Sequence, residues 1–455
     1  MSHHFVPISK IPAGGEKLDV SRLSKLTGLL KLVAVVGALL SAGLFLGGQM
    51  ITLDSQHFVT HEPIHYTLRD VFSYSWLFAF VAVFTLALGS LFWVLLHNAS
   101  NSGWGVAVRR LPETLAVQLP LIGLLGLPLL FPSIRETLWQ WIHDHAEITR
   151  GAGAHHGESL KEALHHTNHL LYHKLGYLSI WWGAIPGWLP RYGLYFVVLG
   201  LGAWILRSYS VSQDQTGNVR PTLSARRFSC GWLPLFAVCL TFASFDWVKS
   251  LNYAWFSTMF GVNFFAGSAL AGMALWIVIT VTMMEAGYFR NIVTPEHLHI
   301  MGKLMHAFTI FWAYIAFSQF FLIWYANIAE ETQFYAIRNT GGWNYYAIFL
   351  LTIGHFILPF VLLLTKSSKV KPRTIRAISL WIIFVHLAEI YWFIIPERGP
   401  KLADQPSIMW AIIPDLVAFA TIGSIVALGF IKSLSQHSIY PCGDPRLQES
   451  INVKN

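Results

Sequence analysis

Long apolar runs recur along this chain, and short polar segments separate them. Ten of the runs are long enough to cross a bilayer, because a transmembrane helix needs about 20 mostly apolar residues. Each run must be helical, since lipid offers no hydrogen-bond partner to an unpaired backbone group. The predicted spans cover residues 29–51, 71–96, 112–131, 191–211, 230–250, 258–287, 303–329, 343–365, 375–395 and 408–431.

The composition indicates the same class of protein. Of 455 residues, 54% are hydrophobic and 12% are charged, whereas soluble domains carry about 25% charged residues. We therefore predict an all-α integral membrane protein. The third span contains Pro120 and Pro128, which a membrane helix tolerates where neighbouring helices satisfy the freed carbonyl groups.

The 31 Lys and Arg residues are unevenly distributed between the two sides of the predicted spans. The larger share lies in the terminal segments and in the loops after even-numbered spans, which places both termini in the cytoplasm. The net charge of +8 follows from this topology, so we expect no nucleic acid partner. The chain then divides into a cytoplasmic segment 1–28, a ten-helix membrane domain 29–431 with a long periplasmic loop at 132–190, and a cytoplasmic tail 432–455.

The cysteines bear on the cofactors that this chain can hold. Cys230, Cys239 and Cys442 form no C-x-x-C motif. The chain alone therefore offers neither a thiolate cluster site nor a covalent attachment for c-type haem.

Several ionisable residues lie inside or at the ends of predicted spans. A charge at the centre of a membrane helix costs about 2.5–3.5 kcal/mol on insertion scales, so each is a candidate functional residue. His386 and Glu389 are three residues apart and share a helix face, where they can hold and transfer a proton; a structural hydrogen bond is the alternative. For Asp246 the alternative is an ion pair with Lys249 at the membrane interface. The candidates are Asp246, Glu285, His306, His355, His386, Glu389 and Asp415.

The seventh span carries hydroxyl groups along one side. Tyr314, Ser318 and Tyr325 share one helical face, and Glu330 and Glu331 follow at the outer end. We predict a path for protons or water along this face, with the two glutamates at its outer mouth. The alternatives are helix packing for the hydroxyl residues and a solvated helix end for the glutamates.

Histidines are concentrated in the long loop after the third span. Residues 158–175 have the pattern of an amphipathic helix that lies on the membrane or on a partner. His165, His169 and His173 repeat every four residues and share one face, a spacing that can hold zinc or copper. Only two glutamates lie nearby to complete a ligand set, so a solvated or partner-facing surface is the favoured interpretation.

The histidines inside spans raise a second class of cofactor. Two imidazoles on facing helices can hold a b-type haem when they lie at the same membrane depth. His306 lies near the inner side and His386 nearer the middle, so His355 and His386 are the pair whose depths match.

Three sequence segments resemble one known family. They read "FASFDWVKSLNYAWFSTMFG", "FWAYIAFSQFFLIWYANIAEETQFY" and "HLAEIYWFIIPE". They are similar to the second quinone-binding membrane subunit of bacterial alternative complex III, a quinol:cytochrome c oxidoreductase. That subunit belongs to the NrfD-type, or polysulfide-reductase-like, membrane proteins. The resemblance extends over residues 20–435 and is strongest over 228–397.

The resemblance implies an architecture and a set of partners. It implies two four-helix bundles, spans two to five and six to nine, flanked by the first and tenth helices. Partner subunits would include an NrfD-like sibling, an iron–sulfur subunit, and multihaem and monohaem cytochrome c subunits, with lipids and a terminal oxidase as further candidates. The iron–sulfur clusters and haem c would belong to those partners, and the substrate would be menaquinol or ubiquinol.

The resemblance also implies roles for particular residues. The family is thought to place its better-supported quinol site in the sibling, so this subunit would contribute proton half-channels and a candidate second quinone site. Asp246, Glu330 and Glu331 match the outer-side positions. The candidates for the rest of the pathway are Glu285, His306, His355, His386 and Glu389. Ala329 stands where the family has proline, which leaves the helix end there less sharply broken.

Two other classes of function remain open at this stage. A secondary transporter or ion channel also carries buried carboxylates and histidines, often beside broken helices, and the proline-containing third span is a feature of that kind. A scaffold subunit of the same complex would keep the fold without the proton chemistry.

Overall fold

The computed structural model describes residues 5–7, 10–12, 14–47, 52–56, 63–152, 168–181, 183–340, 342–398 and 408–454. Ten helices in this part of the chain are long and apolar enough to cross a membrane, which confirms the predicted class. We number them span 1 to span 10. Their bounds are Val20–Gly47, Leu68–Ala99, Arg110–Leu130, Trp188–Thr216, Arg220–Trp247, Phe260–Glu285, Pro295–Ala326, Gly342–Leu362, Pro372–Arg398 and Ile412–Ser435.

Shorter elements connect the spans. A hairpin before span 2 pairs the strands Thr52–Gln56 and Pro63–Thr67 antiparallel, with Thr52 opposite Thr67. The connecting helices are Trp104–Ala107, Pro132–Leu138, Gln140–Ala152, His169–Lys174, Lys249–Asn252, Ala329–Arg338, Lys366–Val370 and Leu447–Ile451.

Local capping signals set the ends of span 7, which the apolar pattern alone placed at 303–329. The helix begins at Pro295, because Thr294 and His297 form a reciprocal capping box and proline fits the first turn. It ends at Ala326, because Asn327 adopts a left-handed conformation with φ of 49°. The span therefore starts eight residues earlier than its apolar stretch.

Span 3 is broken at its prolines. It consists of Arg110–Ala116, Leu119–Leu125 and Leu127–Leu130, and the last two pieces each have a proline in the first turn. Side chains of neighbouring helices reach two carbonyl groups beside the second break: Tyr192 donates to Gly123 at 2.7 Å, and Trp76 donates to Leu125 at 2.8 Å.

Span 2 lies at the centre of the helix packing and is buried along almost its whole length. It contacts spans 1, 3, 5, 6, 9 and 10. Among the remaining spans, 3 packs on 4, 4 on 5, 5 on 6, 6 on 7 and 9, 8 on 7 and 9, and 1 on 10. The closest approach of spans 2 and 6 is at Gly89, where a Cβ atom would lie 1.9 Å from the carbonyl oxygen of Ser268.

The two ends of the helical domain carry different loops. At one end, the N-terminal segment meets the C-terminal tail, where Ile439 donates its backbone N–H to Glu16 at 2.8 Å. The loop between spans 6 and 7 joins them through Phe289, whose N–H donates to the Glu16 carboxylate at 3.0 Å. We call this the termini end. The opposite end carries the hairpin Thr52–Gln56 and Pro63–Thr67, and we call it the hairpin end. There Tyr253, in the loop after span 5, donates to Asp144, in the loop after span 3, at 2.8 Å.

Candidate functional site

Three ionisable side chains meet inside the helical domain. Glu389 and His386 lie one turn apart on span 9, and His355 approaches from span 8; their exposed fractions are only 0–2%. The Oε2 atom of Glu389 lies 3.3 Å from Nδ1 of His386 and 3.9 Å from Nδ1 of His355. We call these residues, together with the three side chains that contact them, the central cluster. Its members are Glu389, His386, His355, Trp312, Asn263 and Thr85.

Neighbouring spans fix the orientation of the cluster. Trp312 of span 7 donates its Nε1–H to Oε1 of Glu389 at 2.7 Å, and Asn263 of span 6 donates to the same oxygen at 3.5 Å. Thr85 of span 2 lies with its hydroxyl 3.0 Å from Nε2 of His386. Five spans, 2, 6, 7, 8 and 9, therefore contribute side chains to the cluster.

A glycine brings span 6 close to the carboxylate. A Cβ atom on Gly267 would lie 2.9 Å from Oε2 of Glu389 and 3.1 Å from the ring of His386. Any larger residue would have to displace the cluster, because contacts of 3 Å to carbon are closer than van der Waals packing allows. Gly267 is thus a positioning residue for the site.

His355 lies on an unusual piece of helix. Residues Ala347–Ile357 form a π-helical segment, a rare geometry that is frequent at functional sites. The ring of His355 packs on Trp312 with 3.8 Å between centroids. Neither of its ring nitrogens has a hydrogen-bond partner in the described part of the chain. His355 therefore has hydrogen-bonding capacity that is still unused.

The cluster has the groups needed to exchange a proton. A carboxylate beside an imidazole can share a proton with it, and Nδ1 of His386 lies 3.3 Å from the Glu389 carboxylate. The second imidazole, His355, lies 3.9 Å from the same carboxylate, which is close but beyond hydrogen-bond distance. The sequence predicted that His386 and Glu389 share a face, and it named His355 as a candidate. It missed Trp312, Asn263 and Thr85, because neutral residues in apolar spans carry no signal of their partners.

The geometry of the central cluster does not favour the alternative of a b-type haem. The ring centroids of His355 and His386 are 6.4 Å apart, but the Nδ1 atoms of both rings face the same Glu389 carboxylate. A haem iron needs two imidazole nitrogens directed at the metal from opposite sides. His306 is separate, with its Nδ1 atom 3.0 Å from the carbonyl oxygen of Leu363.

Asp246 forms a second buried site. Its carboxylate is fully buried and accepts two hydrogen bonds from Arg191 at 2.7 and 2.8 Å, one from Tyr195 at 2.6 Å and one from Tyr177 at 2.8 Å. Burial and the Asp246 charge raise the pKa of Tyr177, so its hydroxyl stays protonated and donates. The alternative pairing of Asp246 with Lys249 is therefore wrong, because Arg191 from span 4 satisfies the carboxylate.

Asp415 occupies a similar setting. Its buried carboxylate accepts hydrogen bonds from Arg398 at 3.1 Å, Tyr391 at 3.0 Å and Ser75 at 2.5 Å. Like the Asp246 site, it combines one aspartate, one arginine and tyrosine at the hairpin end of the spans. Sequence analysis found the aspartate but missed Arg398, because that residue lies at the very end of span 9.

Several candidates lie outside these sites. Glu285 is partly exposed and pairs with Arg376 near the termini end. Tyr314 and Tyr325 are 66% and 76% exposed. The face that bears these two tyrosines is therefore directed away from the other helices of the chain, and the path along the hydroxyl face of span 7 stays a prediction.

Glu330 and Glu331 lie in the first turn of the short helix Ala329–Arg338. Negative side chains at that position are favoured by the helix dipole, and Glu330 is exposed to the surroundings. This placement agrees with the alternative of a solvated helix end. Asn327 makes the break after span 7 by its left-handed conformation, so the chain turns there without a proline.

Part of the histidine-rich loop lies in the described residues. His169 and His173 lie on the helix His169–Lys174, with their Nε2 atoms 3.1 Å apart. His165 and residues 158–167 of the predicted amphipathic helix lie outside the described residues. Within the part of the chain that the structure describes, no three His, Cys, Asp or Glu side chains form a group that could hold a metal ion.

A charged network at the termini end was missed altogether. Arg109 pairs with Glu113 at 2.8 Å and with Asp444 of the tail at 3.3 Å. Arg110 pairs with Glu113 at 3.5 Å and with Asp214 at 2.9 Å. The spacing of the arginines and Glu113 by three and four residues was the available signal, because it places them on one helical face.

Comparison with models of known protein families gives no match to this chain, and comparison with curated proteins gives none either. The functional proposal therefore rests on the sequence resemblance described above, together with the fold and the site geometry. These define the class as a polytopic α-helical membrane protein whose interior holds a carboxylate between two imidazoles.

Proposed function

We propose that this chain is an NrfD-type membrane subunit of a bacterial respiratory quinol:cytochrome c, or high-potential acceptor, oxidoreductase, and that it contributes a proton-conducting pathway. The observation that carries the proposal is the central cluster, where Glu389 lies within 3.9 Å of two buried imidazoles. Buried ionisable groups are costly in a membrane protein, and they mark proton relays and substrate pathways. Its expected location is the bacterial inner membrane.

The proposed role follows from the chemistry of quinol. Oxidation of a quinol releases two electrons and two protons, so it requires groups that accept protons and carry them away. Glu389 is the proposed acceptor, and His386 and His355 are the relay. Haem c and iron–sulfur clusters of partner subunits would receive the electrons. A second quinone site in this chain is a further expectation of the sequence resemblance.

We also propose the arrangement of the spans. Spans 2–5 would form one four-helix bundle and spans 6–9 another, with spans 1 and 10 at the side and both termini in the cytoplasm. The contacts support this layout. Spans 2, 3, 4 and 5 each pack on the next and span 5 packs back on span 2, and spans 6, 7, 8 and 9 form a second closed set in the same way. The distribution of Lys and Arg supports the orientation.

Purification of the chain from its native membrane in mild detergent tests the proposal most directly. A haem-stained gel and a reduced-minus-oxidised spectrum would show whether cytochrome subunits accompany it. We expect a large complex that contains c-type haem and oxidises quinol. A lone polytopic protein without haem would overturn the redox assignment.

A secondary transporter or ion channel is the second candidate, and span 3 is the observation that favours it. Its three helical pieces give the discontinuous geometry that transporters use at their binding sites. Tyr192 and Trp76 donate to the carbonyl groups of Gly123 and Leu125 beside the second break, so these two groups are already occupied. Uptake of an ion or solute into vesicles that contain only the purified chain would favour this candidate.

A further inference from the structure

A pocket of about 380 Å³ lies at the hairpin end, beside span 5. The loop that follows span 5 forms one side, and the helix His169–Lys174 with the residues after it forms the other. Pockets of this size accommodate small organic groups rather than single ions. Neither the central cluster nor the Asp415 site takes part in it. The aromatic lining residues are Tyr177, Phe242, Phe245, Tyr253, Trp255 and Phe256.

Two lysine ammonium groups lie in this pocket. Nζ of Lys174 is 3.9 Å from the ring centroid of Phe256, and Nζ of Lys249 is 4.8 Å from that of Phe245. Burial and the charge of Lys249 lower the pKa of Lys174 to about 8, and burial also lowers the pKa of Lys249. The pocket therefore concentrates positive charge in a partly desolvated place.

No carboxylate of the described residues balances this charge by an ion pair with either lysine. Asp246 is the nearest candidate in sequence, but Arg191 and two tyrosines already occupy its oxygens. Like charges in a partly desolvated pocket repel each other. A bound anion would relieve that repulsion, so the pocket is complementary to a negatively charged group.

The surface beside the pocket is apolar. Val238, Phe242 and Phe245 recur at the spacing of one helical face and form a stripe along span 5. Lys249 follows just after the end of the span at Trp247. Val238 is 51% exposed, and Phe256 on the far wall is 47% exposed. Aromatic and lysine side chains at a span end are typical of the headgroup region of a membrane. An anion with an acyl chain fits this surface better than an acidic protein segment.

We propose that this pocket binds an anionic phospholipid, with its phosphate between Lys174 and Lys249 and an acyl chain along Val238, Phe242 and Phe245. The proposal is independent of quinol oxidation, because it concerns neither the central cluster nor any electron carrier. It requires only that span 5 crosses the membrane.

Lipid titration of the delipidated full-length protein tests this site. Native mass spectrometry would compare phosphatidylglycerol with phosphatidylcholine of the same acyl chains. We expect tighter binding of phosphatidylglycerol to the wild type, and roughly 30-fold weaker binding to Lys174→Gln/Lys249→Gln. The variant Lys174→Arg/Lys249→Arg keeps both charges and should retain the preference. Lys432→Gln loses one exposed charge near the termini end and serves as the matched control.

Two results would overturn the proposal. One is an unchanged affinity for phosphatidylglycerol in Lys174→Gln/Lys249→Gln while the protein remains folded. The other is displacement of the lipid by millimolar inorganic phosphate together with unchanged lipid affinity in Phe245→Ala, which would identify a free phosphate site. Weaker lipid binding in Phe245→Ala, without loss of folding, supports the acyl-chain contact.

Discussion

At the scale of single residues, Asp246 and Glu389 show two different uses of a buried carboxylate. Asp246 accepts four hydrogen bonds, two of them from the guanidinium of Arg191, so its charge is fully compensated. Glu389 instead faces two imidazoles and accepts hydrogen bonds from the neutral side chains of Trp312 and Asn263. The first arrangement stabilises a fixed charge, whereas the second suits a group that gains and loses a proton.

Replacement of Asp246 by Asn should destabilise the fold. The amide leaves Arg191 buried without a counter-charge, and removal of one partner from a buried pair costs about 3–5 kcal/mol in free energy of unfolding. Unfolding in mixed micelles would measure the loss. Glu285→Gln is the matched control, because its pair with Arg376 is partly exposed and should contribute only about 0–1 kcal/mol. Equal effects of the two substitutions would contradict a structural role for Asp246.

Replacement of Glu389 by Gln should spare the fold and impair function. The side-chain oxygen of Gln can still accept the hydrogen bond from Trp312, but the amide cannot carry a proton. We expect turnover of the purified complex to fall by about 100-fold, as for loss of a general acid–base group. Quinol:cytochrome c assays with a proton-release measurement provide the readout. Glu147→Gln, which removes an exposed carboxylate outside the spans, is the control. Unchanged turnover and proton release in both Glu389→Gln and His386→Ala would remove these residues from the pathway.

At the scale of helices, glycines decide how closely the spans approach. Gly89 of span 2 lies against Ser268 and Gly272 of span 6, and this crossing has no room for a side chain. Small residues at such crossings let two backbones approach, which is how membrane helices gain packing energy without a hydrophobic driving force. The crossing joins the two groups of spans that we propose as bundles.

Substitution of Gly89 by Ala should therefore disrupt this crossing. The new methyl group would lie 1.9 Å from the carbonyl oxygen of Ser268, which belongs to backbone and cannot rotate away. Overpacking of this kind costs about 1–3 kcal/mol or more. Gly231→Ala on span 5 is the matched control, because nothing lies within 4 Å of its Cβ position. Thermal unfolding in detergent would compare the two, and an equally mild effect at Gly89 would contradict the close crossing.

At the scale of the whole molecule, the two ends of the helical domain differ in how they are closed. At the termini end, the C-terminal tail folds back on the domain, where Ser450 donates to Trp104 at 2.6 Å and Asp444 pairs with Arg109. At the hairpin end, Tyr253 and Asp144 link two loops. Both ends are therefore capped by segments from distant parts of the sequence.

The proposed orientation predicts a labelling pattern. In a background in which Cys230, Cys239 and Cys442 are replaced by Ser, Glu330→Cys should react with an impermeant maleimide added outside spheroplasts. Lys10→Cys at the termini end should react only after the membrane is permeabilised. The reverse pattern would mean that the chain has the opposite orientation in the membrane. Labelling of both sites without permeabilisation would contradict the expectation that a membrane separates the two ends.

The sequence by itself determined the ten spans and the location of the ionisable residues within them. Both follow from local properties, since the length and apolar character of a helix are set by consecutive residues. It also fixed the pairing of His386 with Glu389, because residues three apart on a helix must share a face.

The tertiary structure alone decided which distant groups those residues meet. Arg191 pairs with Asp246 across 55 positions of sequence, and Trp312 reaches Glu389 across 77. Tyr314 and Tyr325 fit the pattern of a lined path, but helix rotation placed them on the outer surface. Rotation and crossing of helices depend on side-chain packing between spans, which no periodicity within a single span encodes.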